Sequence, residues 1–251
     1  MSGDQPCGGR LAGRIALITG ASRGLGAAVA ERYAAEGAHV VLVARTVGGL
    51  EAVDDRVRAA GGTATLVPAD LTKPGQVEAL GAAMLERFGR IDVLVANAAD
   101  LGALGPVAHS DPKVWRQTLE LNLWSVMRTI QVMHPLLRRS AAGRALFVTC
   151  SAGTEPTAYW NAYAVSKAGL EMMVQLYAAE TAKTAIRANL IDPGPLATRL
   201  RATAFPGEDP STLPDPASVA EAFVRLAGAD WVAGGRRVDA PRLCAGQRAG
   251  G

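Results

Sequence analysis

The chain has 251 residues, 49% of them hydrophobic, and 26 basic against 23 acidic side chains give a net charge of +3. That is enough for one large α/β core, while the arginines are spread along the chain rather than gathered as a nucleic-acid surface requires. No apolar run reaches the roughly 18 residues of a membrane-spanning helix, and the first dozen residues carry Asp4, Gln5, Pro6 and glycines where a signal core would be apolar.

A cytoplasmic protein is therefore expected, a single domain over 1–251 with flexible tails at 1–12 and 241–251. Cys7, Cys150 and Cys244 are odd in number and lack C-x-x-C spacing, and His39, His109 and His134 are scattered. Neither a disulfide framework nor a metal site is expected.

From the N-terminus, 14–19 reads as a buried strand and 25–35 as a helix stopped by Gly37. A strand over 39–44 follows, then a helix over 49–60 ended by Gly61-Gly62. A third strand at 63–67, a helix at 74–88 with Pro74 in its opening turn and a fourth strand at 91–95 continue the alternation. Strands this uniformly apolar imply a parallel sheet covered on both faces. Asp111-Pro112 has the form of an N-cap and first-turn proline opening one or two helices to about residue 139. Further on come a strand at 145–149, a long helix at 158–183 and a strand at 186–191. The proline- and charge-rich stretch 193–216 is too long for an ordinary connection and reads as a lid or pocket wall. Asp215-Pro216 caps a helix to about residue 227, 236–238 forms a closing strand, and the chain from Pro241 offers little that could pack.

Thr19-Gly20-Ala21-Ser22-Arg23-Gly24-Leu25-Gly26 joins the first strand to the first helix. Glycines at such a turn let a pyrophosphate approach the backbone amides and the positive end of the helix dipole. The spacing departs from the stricter G-x-G-x-x-G, and no Lys-Ser/Thr follows Gly26, which argues against an ATP-type loop. Of Tyr33, Tyr159, Tyr163 and Tyr177, only Tyr163 has a lysine four residues later, Lys167, on the same helical face. An ammonium about 5 Å from the phenol, at an effective dielectric near 20, favours the phenolate by about 3 kcal/mol, or roughly two pKa units. Such a pair suits proton transfer accompanying hydride transfer.

Ser151, just past the fifth strand, could orient a substrate oxygen toward Tyr163. Its neighbours do not form G-x-S-x-G, and Cys150 beside it reads as a small buried residue rather than a nucleophile. At the end of the second strand stands Arg45 instead of a carboxylate, and with Arg23 it could grip a 2′-phosphate, so NADP is preferred to NAD.

From about Gly13 to Asp239 the chain resembles the short-chain dehydrogenase/reductase family. The resemblance implies a three-layer, doubly wound Rossmann fold with a mostly parallel sheet of about seven strands. It assigns the cofactor loop to Gly20, Ser22, Arg23, Gly24, Leu25 and Gly26, adenine contacts to Asp70 and Leu71, and the segment after strand four to Asn97, Ala98 and Ala99, where glycine is more usual than Ala99. Pro193, Gly194 and Thr198 match the stretch holding the nicotinamide, while Ala233-Gly234 replaces the usual Thr-Gly. The catalytic four it implies are Asn122, Ser151, Tyr163 and Lys167, with the Asn122 backbone holding a water that relays protons from Lys167. Ser151 precedes Tyr163 by 12 residues, about one fewer than in many members.

The implied activity is hydride exchange between NADP(H) and a small carbonyl or secondary-alcohol substrate. Specificity would reside in 100–110, 152–160 and 195–214, with Leu101, Leu104, Trp160, Leu200 and Phe205 as apolar walls and Glu155, Arg199 and Arg201 as polar contacts. Trp124, Met127, Met172, Met173 and Tyr177 read as an exposed apolar face for a homodimer or homotetramer. The competing reading, a catalytically silent nucleotide-binding regulator or scaffold, is disfavoured by the presence of both Tyr163 and Lys167.

Overall fold

The computed structural model describes residues 9–247. Among them, β1 (Ile15–Thr19), β2 (His39–Ala44), β3 (Thr63–Pro68), β4 (Val93–Ala96), β5 (Arg144–Val148), β6 (Arg187–Asp192) and β7 (Arg237–Asp239) form one sheet. The order is β3-β2-β1-β4-β5-β6-β7, and all neighbours are parallel. The helices are α1 (Gly24–Ala35), α2 (Val47–Ala59), α3 (Gln76–Phe88), α4 (Pro112–Leu119), α5 (Ser125–Leu137), α6 (Asn161–Thr181), α7 (Arg199–Ala204), α8 (Ala220–Ala227) and α9 (Ala240–Cys244).

Strand pleating divides the core in two. Ala16, Ile18, Val40 and Leu42 meet the layer built from α1, α2, α8 and α9. Ile15, Leu17, Val41 and Val43 meet the layer built from α3, α5 and α6. Chain order reverses between β1 and β4, so the loops leaving their carboxyl ends diverge and open a crevice, the binding position of doubly wound sheets.

Several expectations need correcting. Pro74 lies outside α3, because Gly75 takes the N-cap position in a left-handed conformation, φ +77°. The helical stretch after Asp111 is interrupted by a π-helical turn at Glu120–Trp124. The start of α6 is delayed to Asn161, after Tyr159 and at Asn161 with φ of 73° and 48°. A 3-10 turn, Pro216–Val219, intervenes before α8. The expected tail from Pro241 is a packed helix instead: Asp239 caps α9, and Ala240 and Leu243 are buried. At the other end Leu11 is fully buried, its amide bonded to Glu36 O at 2.9 Å. Residues 1–8 and 248–251 of the expected tails lie outside the described residues. Tyr177, read as exposed, is buried with its hydroxyl 2.9 Å from His134 Nδ1, and Met173 packs partly into the core.

Candidate active site

The turn after β1 is locked to β4 before any ligand is considered. Thr19 Oγ1 accepts the amides of Asn97 and Ala98 at 3.0 and 3.1 Å, and Asn97 Nδ2 donates to Thr19 O and Gly20 O at 3.0 and 3.3 Å. Gly20 and Gly24 have φ of +67° and +54°, values at which a side chain is strained. Arg23, the residue before α1, makes no side-chain cap, so the first-turn amides carry the helix's positive end toward the crevice uncapped.

A cavity of about 830 Å³ runs from this turn to Tyr163 and Lys167. The cofactor residues expected from the sequence line it, apart from Gly26. A Cβ on Gly26 would stand 2.3 Å from Gly20 O and 2.6 Å from Asn97 Nδ2, so this glycine permits close packing of the turn. Arg23 and Arg45 are exposed at the rim. Burial opposes the Asp70 carboxylate, but bonds from the Thr72 hydroxyl and amide, with the charges of Arg45 and Lys73, hold it below its ordinary range. Thr198 lines the opposite wall and caps α7 through a bond from Arg201 N at 3.2 Å, its methyl group facing Gly24. Pro193 and Gly194 continue this wall, Gly194 in the left-handed region at φ +68°. An uncapped helix start, a turn without side-chain bulk and two rim arginines suit a dinucleotide's pyrophosphate and ribose phosphate.

Tyr163 and Lys167 project from the first turns of α6 beneath β5. Both are buried, 6% and 3% exposed, yet both line the cavity. Lys167 Nζ lies 5.7 Å from the Tyr163 ring centroid and donates to Val148 O at 2.9 Å, which leaves two donors unused. Burial pulls the Lys167 ammonium below its usual range, against Cys150, Glu171 and Asp192, which favour its charge. Burial likewise pushes the phenol of Tyr163 well above its usual value, reinforced by Cys150 and Asp192. The expected lowering of the phenol by the lysine is thus reversed in direction, because loss of water around both groups dominates.

Asn122 does not reach the cavity wall. Its amide accepts from Asp100 N at 2.8 Å and donates to Asp100 O at 2.8 Å and Ser166 Oγ at 3.0 Å, while Ser166 Oγ donates to Tyr163 O at 2.6 Å. It ties the loop after β4 to the start of α6. Ser151 lines the cavity at the head of a 3-10 turn and is exposed. The residue missed from the sequence is Cys150: it lines the cavity, and its thiol donates to the Tyr163 hydroxyl at 3.8 Å. The one-residue shortfall between Ser151 and Tyr163 was the available signal, since counting from Cys150 removes it.

The stretch 193–216 does wall the pocket. Phe205 and Trp160 have ring centroids 5.8 Å apart, Trp160 and Tyr163 5.7 Å, and the Arg201 guanidinium stacks 3.7 Å over Phe205 while pairing with Glu208 at 2.6 Å. Leu200 and Arg199 join the wall; Leu101, Leu104 and Glu155 do not. Among the described residues, no three His, Cys, Asp or Glu side chains gather as a metal site would require, and no helix is long and apolar enough to cross a membrane.

Fold and cavity together define a Rossmann-type α/β protein with a crevice at the carboxyl ends of its strands. The family model described as short chain dehydrogenase matches residues 14–209. The oxidoreductase YciK of Escherichia coli K12, itself uncharacterised, is 34% identical over 229 residues, 90% of each chain. A short chain dehydrogenase from Salmonella enterica serovar Typhi superposes with a TM-score of 0.90 at 34% identity, covering 94% of this chain and 99% of that one. A protein of Escherichia coli CFT073, solved in complex with NADPH, superposes with a TM-score of 0.87 at 34% identity, covering 92% and 97%. The chain belongs to the short-chain dehydrogenase family.

Proposed function

We propose that this protein exchanges a hydride between NADP(H) and a carbonyl or secondary-alcohol carbon, with Tyr163 as the general acid and base. The observation that carries this reading is a single cavity joining the uncapped N-terminus of α1 to the Tyr163/Lys167 pair. When bound, the nicotinamide supplies or accepts the hydride. In reduction Tyr163 gives its proton to the carbonyl oxygen; in oxidation it takes one from the alcohol. Lys167, with two donors left over, holds the ribose hydroxyls and supports the phenolate electrostatically. Ser151 orients the substrate oxygen from the facing wall, and Asn122 supports the start of α6.

Arg23 and Arg45 favour a 2′-phosphate, and the NADPH complex of the Escherichia coli CFT073 protein supports the same preference. Aromatic walls from Trp160 and Phe205 suit a ketone or an alicyclic or aromatic alcohol. Trp124 at the start of α5 and Val165, Met172 and Leu176 on α6 remain exposed, which supports a homodimer or homotetramer. The reading is of a cytoplasmic enzyme of one domain.

The test is a panel of carbonyl and alcohol compounds followed at the nicotinamide absorbance, with NADPH and NADH in parallel. Turnover with NADPH preferred is expected, and Tyr163→Phe should lower kcat by at least about a thousandfold while still binding NADPH. Undiminished turnover in that variant would overturn the assignment.

A further inference from the structure

Where β5 ends, two adjacent side chains face the cavity differently. Ser151 starts a 3-10 turn and is exposed, its carbonyl accepting the amides of Thr154 at 3.0 Å and Glu155 at 2.8 Å. Cys150, half-buried, has its Sγ 3.8 Å from the Tyr163 hydroxyl, and this thiol is the hydroxyl's hydrogen-bond partner among the described residues. Lys167 commits one proton to Val148 O and stands 5.7 Å from the ring centroid, with no hydrogen bond to the Tyr163 hydroxyl among the described residues.

A phenol that gives up its proton inside a wall of apolar side chains leaves an oxyanion, and a buried oxyanion without a donor is costly. As a neutral S–H donor, Cys150 points at the phenol oxygen before the transfer and is still aimed at it afterwards; it is the sulfur as an acceptor or an anion that holds the phenol in its protonated form. By occupying one lone pair the S–H also leaves the phenolic hydrogen free to point at a substrate oxygen. We infer that Cys150 is a catalytic residue of this chain, its thiol holding the Tyr163 oxygen through proton transfer, and that the centre is consequently open to thiol-directed modification through the cavity. The inference rests on the reading of Tyr163 as acid and base. It adds to Ser151, which borders the substrate space, a second group at the reacting oxygen itself.

Iodoacetamide is a suitable probe: Sγ bonds to its methylene carbon as the carbon–iodine bond breaks, iodide leaves with the electron pair, and the thiol proton passes to buffer. Wild type, Cys150→Ala, Cys150→Ser, Ser151→Ala and Tyr163→Phe are compared with NADPH and the best carbonyl of the panel, with NADPH binding followed by fluorescence to verify folding. Cys150→Ala should lower kcat by about tenfold or more with NADPH affinity within about twofold of wild type. Cys150→Ser, which retains a donor, should recover most of that loss. Iodoacetamide should inactivate the wild type, saturating NADPH should protect it, and Cys150→Ser should resist, separating this thiol from Cys7 and Cys244. The inference is overturned if Tyr163→Phe is inactive while Cys150→Ala keeps kcat within about twofold, if Ser151→Ala alone carries the tenfold loss, or if wild type alkylated at Cys150 still turns over. Full turnover by Tyr163→Phe is a separate outcome: it removes the acid/base reading, and this inference with it.

Discussion

Tyr163 and Lys167 stand one helical turn apart as their spacing requires, yet the environment works against the ionised form of both. The Coulomb argument for a lowered phenol leaves out the loss of water around the pair, and desolvation leads in each case. The rim arginines, by contrast, are exposed to solvent. Arg45→Ala should therefore weaken NADPH binding by about tenfold, the worth of a charge-assisted hydrogen bond, and leave NADH binding unchanged. Fluorescence titration with the two cofactors checks this; equal losses for both would show that Arg45 does not recognise the 2′-phosphate.

The glycine turn works as an element because β1, α1 and the loop after β4 approach so closely. Gly26→Ala would force a Cβ against Gly20 O and Asn97 Nδ2 at 2.3 and 2.6 Å, and backbone cannot yield as a flexible side chain would. A loss of about 1–3 kcal/mol in denaturant unfolding is expected, together with weaker NADPH binding as the turn shifts. Stability equal to wild type would mean that the turn is looser than its hydrogen bonds to Asn97 indicate. The helix carrying Tyr163 and Lys167 is held in a similar way: Asn122, in the π-helical turn before α5, spends its whole amide on Asp100 and Ser166.

Across the whole molecule, charges close the layer of α1 and α8 and an apolar stripe faces outward from α6. Glu36 at the end of α1 accepts Arg10 at 2.6 Å and Arg32 at 2.8 Å, and Arg10 and Arg32 also reach Glu221 on α8. The bonds from Arg10, ahead of the opposing cost of burial, hold the Glu36 carboxyl down to about 2. A carboxyl lowered on folding contributes fully above its ordinary value of about 4.3 and loses that contribution as pH falls through the folded value. Unfolding free energy should thus decline between about pH 5 and pH 2, and Glu36→Gln should flatten part of the decline in urea titrations; an unaltered slope would remove Glu36 from the account. On the outer face, Trp124, Met172 and Leu176 are 55%, 58% and 57% exposed, three large apolar side chains offered to water. Light scattering at micromolar protein should give a dimer or tetramer, and Met172→Asp with Leu176→Asp should give monomers. A monomeric wild type would refute this use of the stripe.

Apolar periodicity and glycine punctuation made the alternating strands and helices legible, and with them a parallel sheet covered on both faces, because the burial of the inner strands is written in their own residues. The Tyr163/Lys167 pair and the glycine turn were equally legible, being local spacings with a direct chemical meaning. Tertiary structure alone decided what depends on neighbours distant in the chain: the burial of Tyr177 against His134, the packing of α9 through Leu243, and the absence of Leu101 and Leu104 from the pocket. It also decided which of Cys150 and Ser151 touches Tyr163. Cys150 and Ser151 both line the cavity, and the packing of α6 against β6 and the turn after β5 decides which of them meets Tyr163.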